Sequence, residues 1–282
     1  MKRLIINADD FGLSHSVNEG VVFAHRSGVL TSATLMVNTP GFEEAVRLAE
    51  EHPRLGVGLH LNWVRGRPVS PPEAVPSLVD RRGLFFSSGA AFLKKLFSGR
   101  IRTEDLEREA RAQVERALGA GIRLSHFDSE KNVHVFPRLM DVVVGLAGAY
   151  GIRKVRFINE FGFSRSPSQT LKAFLLSLAC RRSAARLRRA GIVIADRFYG
   201  ICNSGRITAG RLMKIFGGLK DGSAEVMVHP GLVDRELESM EETMGTYYIN
   251  RYREGELKAL TDPRLPGEAR RLGVRLISFH DL

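Results

Sequence analysis

Two adjacent carboxylates, Asp9 and Asp10, close the short apolar run Leu4-Ile5-Ile6 and are followed by Gly12. Such a run reads as a buried strand that delivers both acids to its C-terminal end. Neighbouring strand residues point to opposite faces, but both side chains can converge where the strand gives way to a loop. Burying two carboxylates side by side is costly unless a metal ion or a proton compensates. The plainer alternative is a strand-to-helix turn with one Asp as helix cap. Three further segments favour the chemical reading. Gly58-Leu59-His60-Leu61-Asn62, Ser125-His126-Phe127-Asp128 and Met227-Val228-His229-Pro230-Gly231 each put a histidine at the end of a β-like apolar run. With the double Asp, they look like a metal-dependent hydrolase.

These side chains need strands to carry them, and strand-like and helix-like segments alternate along the chain, as in a parallel sheet wrapped by helices. The pattern predicts strands over residues 4–7, 30–37, 56–61, 124–128 and 154–157, and helices over 14–27, 42–51, 104–118, 138–150 and 170–189. Segments 192–195, 211–216, 225–228, 252–260 and 274–278 complete the series. Seven or eight strands result, which suits an α/β barrel, complete or incomplete, its strands mostly parallel. Residues 65–80, rich in Pro, Arg and Gly, form a long excursion expected to act as a lid or binding loop. No repeat, low-complexity tract or linker divides the chain, so residues 1–282 are expected to form a single domain. In such folds the C-terminal strand ends build the active site, and Asp9, Asp10, His60, His126, Asp128 and His229 all map there.

With 44% hydrophobic residues the chain is of ordinary globular composition. No run is long and apolar enough for a membrane span, and the opening residues lack a signal-peptide pattern. Cys180 and Cys202 suggest neither a disulfide framework nor a thiolate metal site, so a reducing cytoplasm is expected, with a peripheral position at the inner membrane face left open. The net charge of +11 implies an anionic partner, a membrane surface or a basic proteome. Much of it lies in Arg181, Arg182, Arg186, Arg188 and Arg189, following the apolar run 171–178. A helix with a solvated basic face and an interfacial helix on anionic lipid both fit. Nucleic acid is not expected, because no recognition motif accompanies the charge.

Asn7-Ala8-Asp9-Asp10-Phe11-Gly12, Gly58-Leu59-His60-Leu61-Asn62, Ser125-His126-Phe127-Asp128-Ser129 with Val133-His134, and Val228-His229-Pro230-Gly231 resemble the YdjC/ChbG-like carbohydrate deacetylases. Within them, Phe198-Tyr199-Gly200-Ile201-Cys202-Asn203-Ser204-Gly205 and Asp128-Ser129-Glu130-Lys131-Asn132 are most similar to the hopanoid-associated HpnK branch. The resemblance implies a deformed (β/α) barrel of the NodB/glycoside hydrolase-deacetylase-like type, one divalent metal, and hydrolysis of an N-acetyl group from an amino sugar. It implies Asp10, His60 and His126 as metal ligands, Asp9 as general base and His229 as the histidine facing it; from another strand, His229 is a candidate to give the leaving nitrogen its proton. Many members carry His where this chain has Glu130 and Asn132. Mg²⁺ or Zn²⁺ is the expected ion, with Mn²⁺ and Co²⁺ as alternatives.

Asp128 is placed to hydrogen-bond a histidine ring and orient it. His134 is a candidate to reach the pocket, Arg156 to bind a sugar hydroxyl or phosphate, and Trp63 to stack on a sugar; internal packing or ion pairing competes for each. His15, His25, His52 and His280 read as capping, surface or structural residues. The expected substrate is an N-acetylated amino sugar, lipid-linked in the hopanoid reading. Soluble chito-oligosaccharides, a barrel phosphoesterase and a non-catalytic membrane-surface protein stand as alternatives, and a homodimer stays open.

Overall fold

The computed structural model describes residues 1–162, 166–244 and 249–282, with backbone alone at 242 and 243. In chain order the elements are β1 (Lys2–Phe11), α1 (His15–Ser27), β2 (Ser32–Leu35), α2 (Phe42–Glu51), β3 (Gly56–Leu61), α3 (Gly89–Phe97), α4 (Thr103–Gly119) and β4 (Phe127–Ser129). There follow α5 (Pro137–Tyr150), α6 (Pro167–Arg189), β5 (Arg197–Tyr199), α7 (Ala209–Gly218), β6 (Gly222–Val228), α8 (Arg235–Ser239), α9 (Glu241–Met244), α10 (Tyr252–Leu260), α11 (Arg264–Arg271) and β7 (Val274–Leu276). Local chemistry explains several boundaries. Ser14 caps α1 by accepting from the Val17 N–H, and Gly28 ends that helix. Phe136 precedes Pro137, which starts α5 at a position where its missing N–H costs nothing, and Gly151 stops it in the left-handed conformation.

Every strand pairing is parallel, in the order β4-β3-β2-β1-β6-β5. β7 pairs with Lys2–Leu4 of β1, on the edge that β2 takes over from Asn7 onward. Single bridges Phe127↔Val155 and Lys154↔Val193 carry the pairing past β4 toward β5. The strands thus curl into a deformed parallel (β/α) barrel. Leu4, Ile5 and Ile6 are fully buried on both faces of β1, as expected for a central parallel strand.

Segment 154–157, expected as a strand, and segment 192–195 contribute only those bridges among the described residues. The 65–80 excursion is not a free lid. Glu109 of α4 accepts from the Val69 and Ser70 N–H groups, and Asp105 from that of Ser77, which pins the loop along the helix. Arg65 at its start reaches the barrel mouth, where it pairs with Glu130.

Candidate active site

Asp9 and Asp10 sit in β1 itself rather than beyond its end. The β1–β2 register slips between Ala8 and Phe11, and Asp10 has a φ of 69°. A bulge with one residue in the left-handed region breaks the alternation of side chains and turns both carboxylates to the same end of the barrel. Gly12 completes the turn: its φ is 91°, and a Cβ there would lie 2.6 Å from the Met36 carbonyl oxygen.

From β3, His60 projects its ring between two sets of acids. Its Nδ1 lies 2.7 Å from Asp128 Oδ1, so this nitrogen donates to the carboxylate and Nε2 is left facing the cleft. That Nε2 is 3.8 Å from Asp10 Oδ1 and 3.7 Å from Glu130 Oε2. Thr34 of β2 donates to Asp128 Oδ2 at 3.1 Å and fixes it from below. Burial opposes charge on the His60 ring, but Asp128 and the other surrounding acids outweigh it and hold its proton affinity well above normal. The cleft therefore favours positive charge at this point. Asp10, His60 and Glu130, all buried, present donor atoms within 4.8 Å of one another, a set of two carboxylates and one imidazole that fits a divalent cation.

Behind them Arg156, fully buried, binds Asp9 with both terminal nitrogens at 2.6 and 2.9 Å. The same guanidinium reaches Asp128 and Glu225, each at 2.7 Å. Burial raises the proton affinity of Asp9, yet Arg156 outweighs it and holds this carboxyl far below the usual range. Arg253 of α10 pairs with Asp10, and Arg65 pairs with Glu130 at 3.0 Å. His229, at the end of β6, places Nε2 4.0 Å from Asp9 Oδ2. Its backbone N–H donates to Glu256 Oε2 at 2.7 Å, and the same oxygen stands 3.7 Å from its Nδ1. A small cavity of about 30 Å³ opens between these groups, bounded also by Lys131, Lys172 and Ser204. A roomier cleft of about 550 Å³ between residues 159–162 and α7 contains none of the expected site residues.

Asp9, Asp10, His60, Asp128 and His229 are thus brought together, but His126 is not. His126 is level with Gly58, one layer deeper, and its ring stacks on Phe279 with centroids 3.5 Å apart. Its Nδ1 meets the Ser125 hydroxyl at 2.8 Å, and burial with Arg156 nearby keeps the ring neutral. Glu130, on the turn after β4, stands where a third ligand was expected. Trp63 is no sugar platform: it is fully buried and donates to the Leu106 carbonyl of α4. His134 packs under the site, with Nδ1 on Ser129 and Nε2 donating to the Arg156 carbonyl. Arg156 holds acids rather than facing a ligand. Thr34, Glu225, Arg253 and Glu256 escaped sequence reading, since nothing in their spacing separates them from surface polar residues.

A family model described as YdjC-like protein matches residues 3–269. The chain belongs to the YdjC-like family. Two similar proteins are carbohydrate deacetylases: one from Brevibacillus brevis, 37% identical and covering 99% of each chain, and one from Geobacillus stearothermophilus, 38% identical and covering 98% of this chain and 96% of that one. A crystal structure from Enterococcus faecalis V583, described as a cellobiose-phosphate cleavage protein, superposes with a TM-score of 0.76 at 27% identity, covering 99% of this chain and 98% of that one.

Proposed function

We propose that this protein is a metal-dependent hydrolase that removes the N-acetyl group from an N-acetylated amino sugar. The observation that carries the reading is the convergence of Asp10, His60 and Glu130 beside Asp9 and His229, in a chain that resembles carbohydrate deacetylases over its length. Asp10, His60 and Glu130 would hold the cation. Once bound, it supplies polarisation of the acetyl carbonyl and an acidified water, which a carboxylate as weakly basic as Asp9 needs. Asp9 receives the proton from the attacking water, and its tie to Arg156 keeps it ionised and aimed. His229, oriented by Glu256, gives a proton to the departing nitrogen. The cavity has room for little more than a water, so the sugar ring lies across its mouth.

The finer reading places that sugar on a hopanoid-like glycolipid, supported by the HpnK-like segments at 128–132 and 198–205. A soluble chito-oligosaccharide is the second reading, favoured by a pocket lining in which only Ile201 and Met227 are apolar. Acetate release from N-acetylglucosaminyl lipid and from chitobiose, with metal added and with chelator, tests both. The deacetylase reading fails if neither substrate releases acetate with any divalent ion; the lipid reading fails if chitobiose is the faster substrate. Metal content separates the ligand sets. His60→Ala and Glu130→Ala are expected to lose the ion, whereas His126→Gln keeps it; the reverse pattern restores His126 as the ligand.

A further inference from the structure

α6 carries an outward stripe that no other described residue covers. Leu171, Phe174, Leu175 and Leu178, spaced i, i+3, i+4 and i+7, are 58%, 49%, 53% and 38% exposed. That spacing normally marks the face a helix buries. Here the buried face is a different one, made of Ala173, Leu176, Cys180 and Leu187. Phe161, itself half exposed, meets Phe174 edge to face with centroids 6.1 Å apart and widens the patch. Arg181 lies over the Phe161 ring at 4.2 Å. Following the helix turn by turn, the same outward line runs into Arg182, Arg186 and Arg189, all exposed, and α6 contains no acidic residue. One of these cations, Arg186, is paired with Asp141 of α5.

We propose that the outward face of α6 docks on an anionic lipid bilayer. An apolar stripe continued by a row of arginines matches an interface in which acyl chains lie beside anionic headgroups. A second copy of the chain matches it poorly. Two α6 faces brought together would set arginines against leucines or against other arginines, with no acid on either helix to pair them. Docking also has a consequence for the pocket, because Lys172 of the same helix lines it. The mouth would then open next to the lipid surface, where a membrane-held sugar could reach it.

Vesicle co-sedimentation tests the surface without any assay of catalysis. The wild-type protein is expected to bind vesicles of phosphatidylcholine with phosphatidylglycerol, and to bind pure phosphatidylcholine far more weakly. Phe174→Ser with Leu175→Ser should lower binding by roughly tenfold or more, since two buried apolar side chains are lost. Each of Arg182→Gln and Arg189→Gln should lower it about fivefold at low salt and flatten its salt dependence. All these side chains are exposed, so unchanged thermal unfolding confirms that each variant is folded. Equal binding by wild type and the stripe variant overturns the proposal. So does a wild-type dimer in sedimentation velocity that the stripe variant dissolves, which would make this face a contact between copies.

Discussion

One buried guanidinium governs the acids around it. Arg156 touches Asp9, Asp128 and Glu225 at once, so the ionisation of Asp9 is set by a group that never meets solvent. Asp9→Asn removes the charge but not the shape, and is expected to keep the bound metal while turnover falls by roughly 10²–10⁴. Steady-state kinetics beside metal analysis checks it, and near-normal kcat removes Asp9 from proton transfer. His134 gives a second residue-level test. Burial lowers its proton affinity, from 6.5 to about 4, although Asp128 pulls the other way. The unfolded chain then takes up a proton near pH 6.5 that the folded ring refuses until about pH 4. Stability from this residue is therefore complete above that window and lost as pH falls through it, by up to about 3 kcal/mol. Urea titrations at several pH values should show His134→Gln with a shallower acid slope than wild type; identical slopes would refute the assignment. At this scale the sequence is legible where chemistry announces itself, as in the double Asp and His60. It does not give the depth of His126, because a histidine near a strand end looks the same whether it faces the mouth or the layer below. Only the register of Gly58 opposite His126 tells them apart.

Elements were readable wherever their own pattern was strong. α2, β3 and α10 occupy the expected residues, the helices having apolar spacing and β3 a short run that alternates small and apolar residues up to His60. β5 was missed because a three-residue strand is held by its neighbour β6 rather than by its own composition. α3 does not stand out in the sequence, although Ser88 caps it and Phe92 and Leu96 bury it. The bulge in β1 lies beyond any such reading, since it depends on how β2 pairs. β3 yields the prediction at this scale. A Cβ on Gly58 would come within 2.4 Å of the His126 ring, inside the barrel wall where the backbone cannot give way. Gly58→Ala should cost about 1–3 kcal/mol in chemical denaturation, the usual cost of overpacking. His126→Ala in the same chain should relieve part of that cost, because the two side chains then share the space. Strict additivity would mean that His126 does not pack there.

Across the whole barrel the two ends have separate tasks. At the mouth, charged groups converge and pair; at the other end the chain's last turn, 279–281, plugs the opening. Phe279 is fully buried, stacks on His126, and joins Ile5 and Ile277 in a small cluster of its own. Its N–H donates to the Ser32 hydroxyl, while Lys154 donates to the Phe279 and His280 carbonyls at 2.6 and 2.7 Å. These contacts tie β1, β2 and the segment after β4 to the end of the chain, so the plug closes the ring that single bridges leave weak. In barrels of this type one end carries chemistry and the other stability. Phe279→Ala should accordingly lower unfolding free energy by about 3–5 kcal/mol, the range for deleting a buried aromatic. Metal stoichiometry at low temperature should be unchanged if the proposed ligands Asp10, His60 and Glu130 hold the ion, because other residues than Phe279 build the mouth. Equilibrium unfolding and metal analysis on the same preparation decide the matter. A folded variant that has lost its metal would show that the plug and the site are one unit, and would return His126 to the metal.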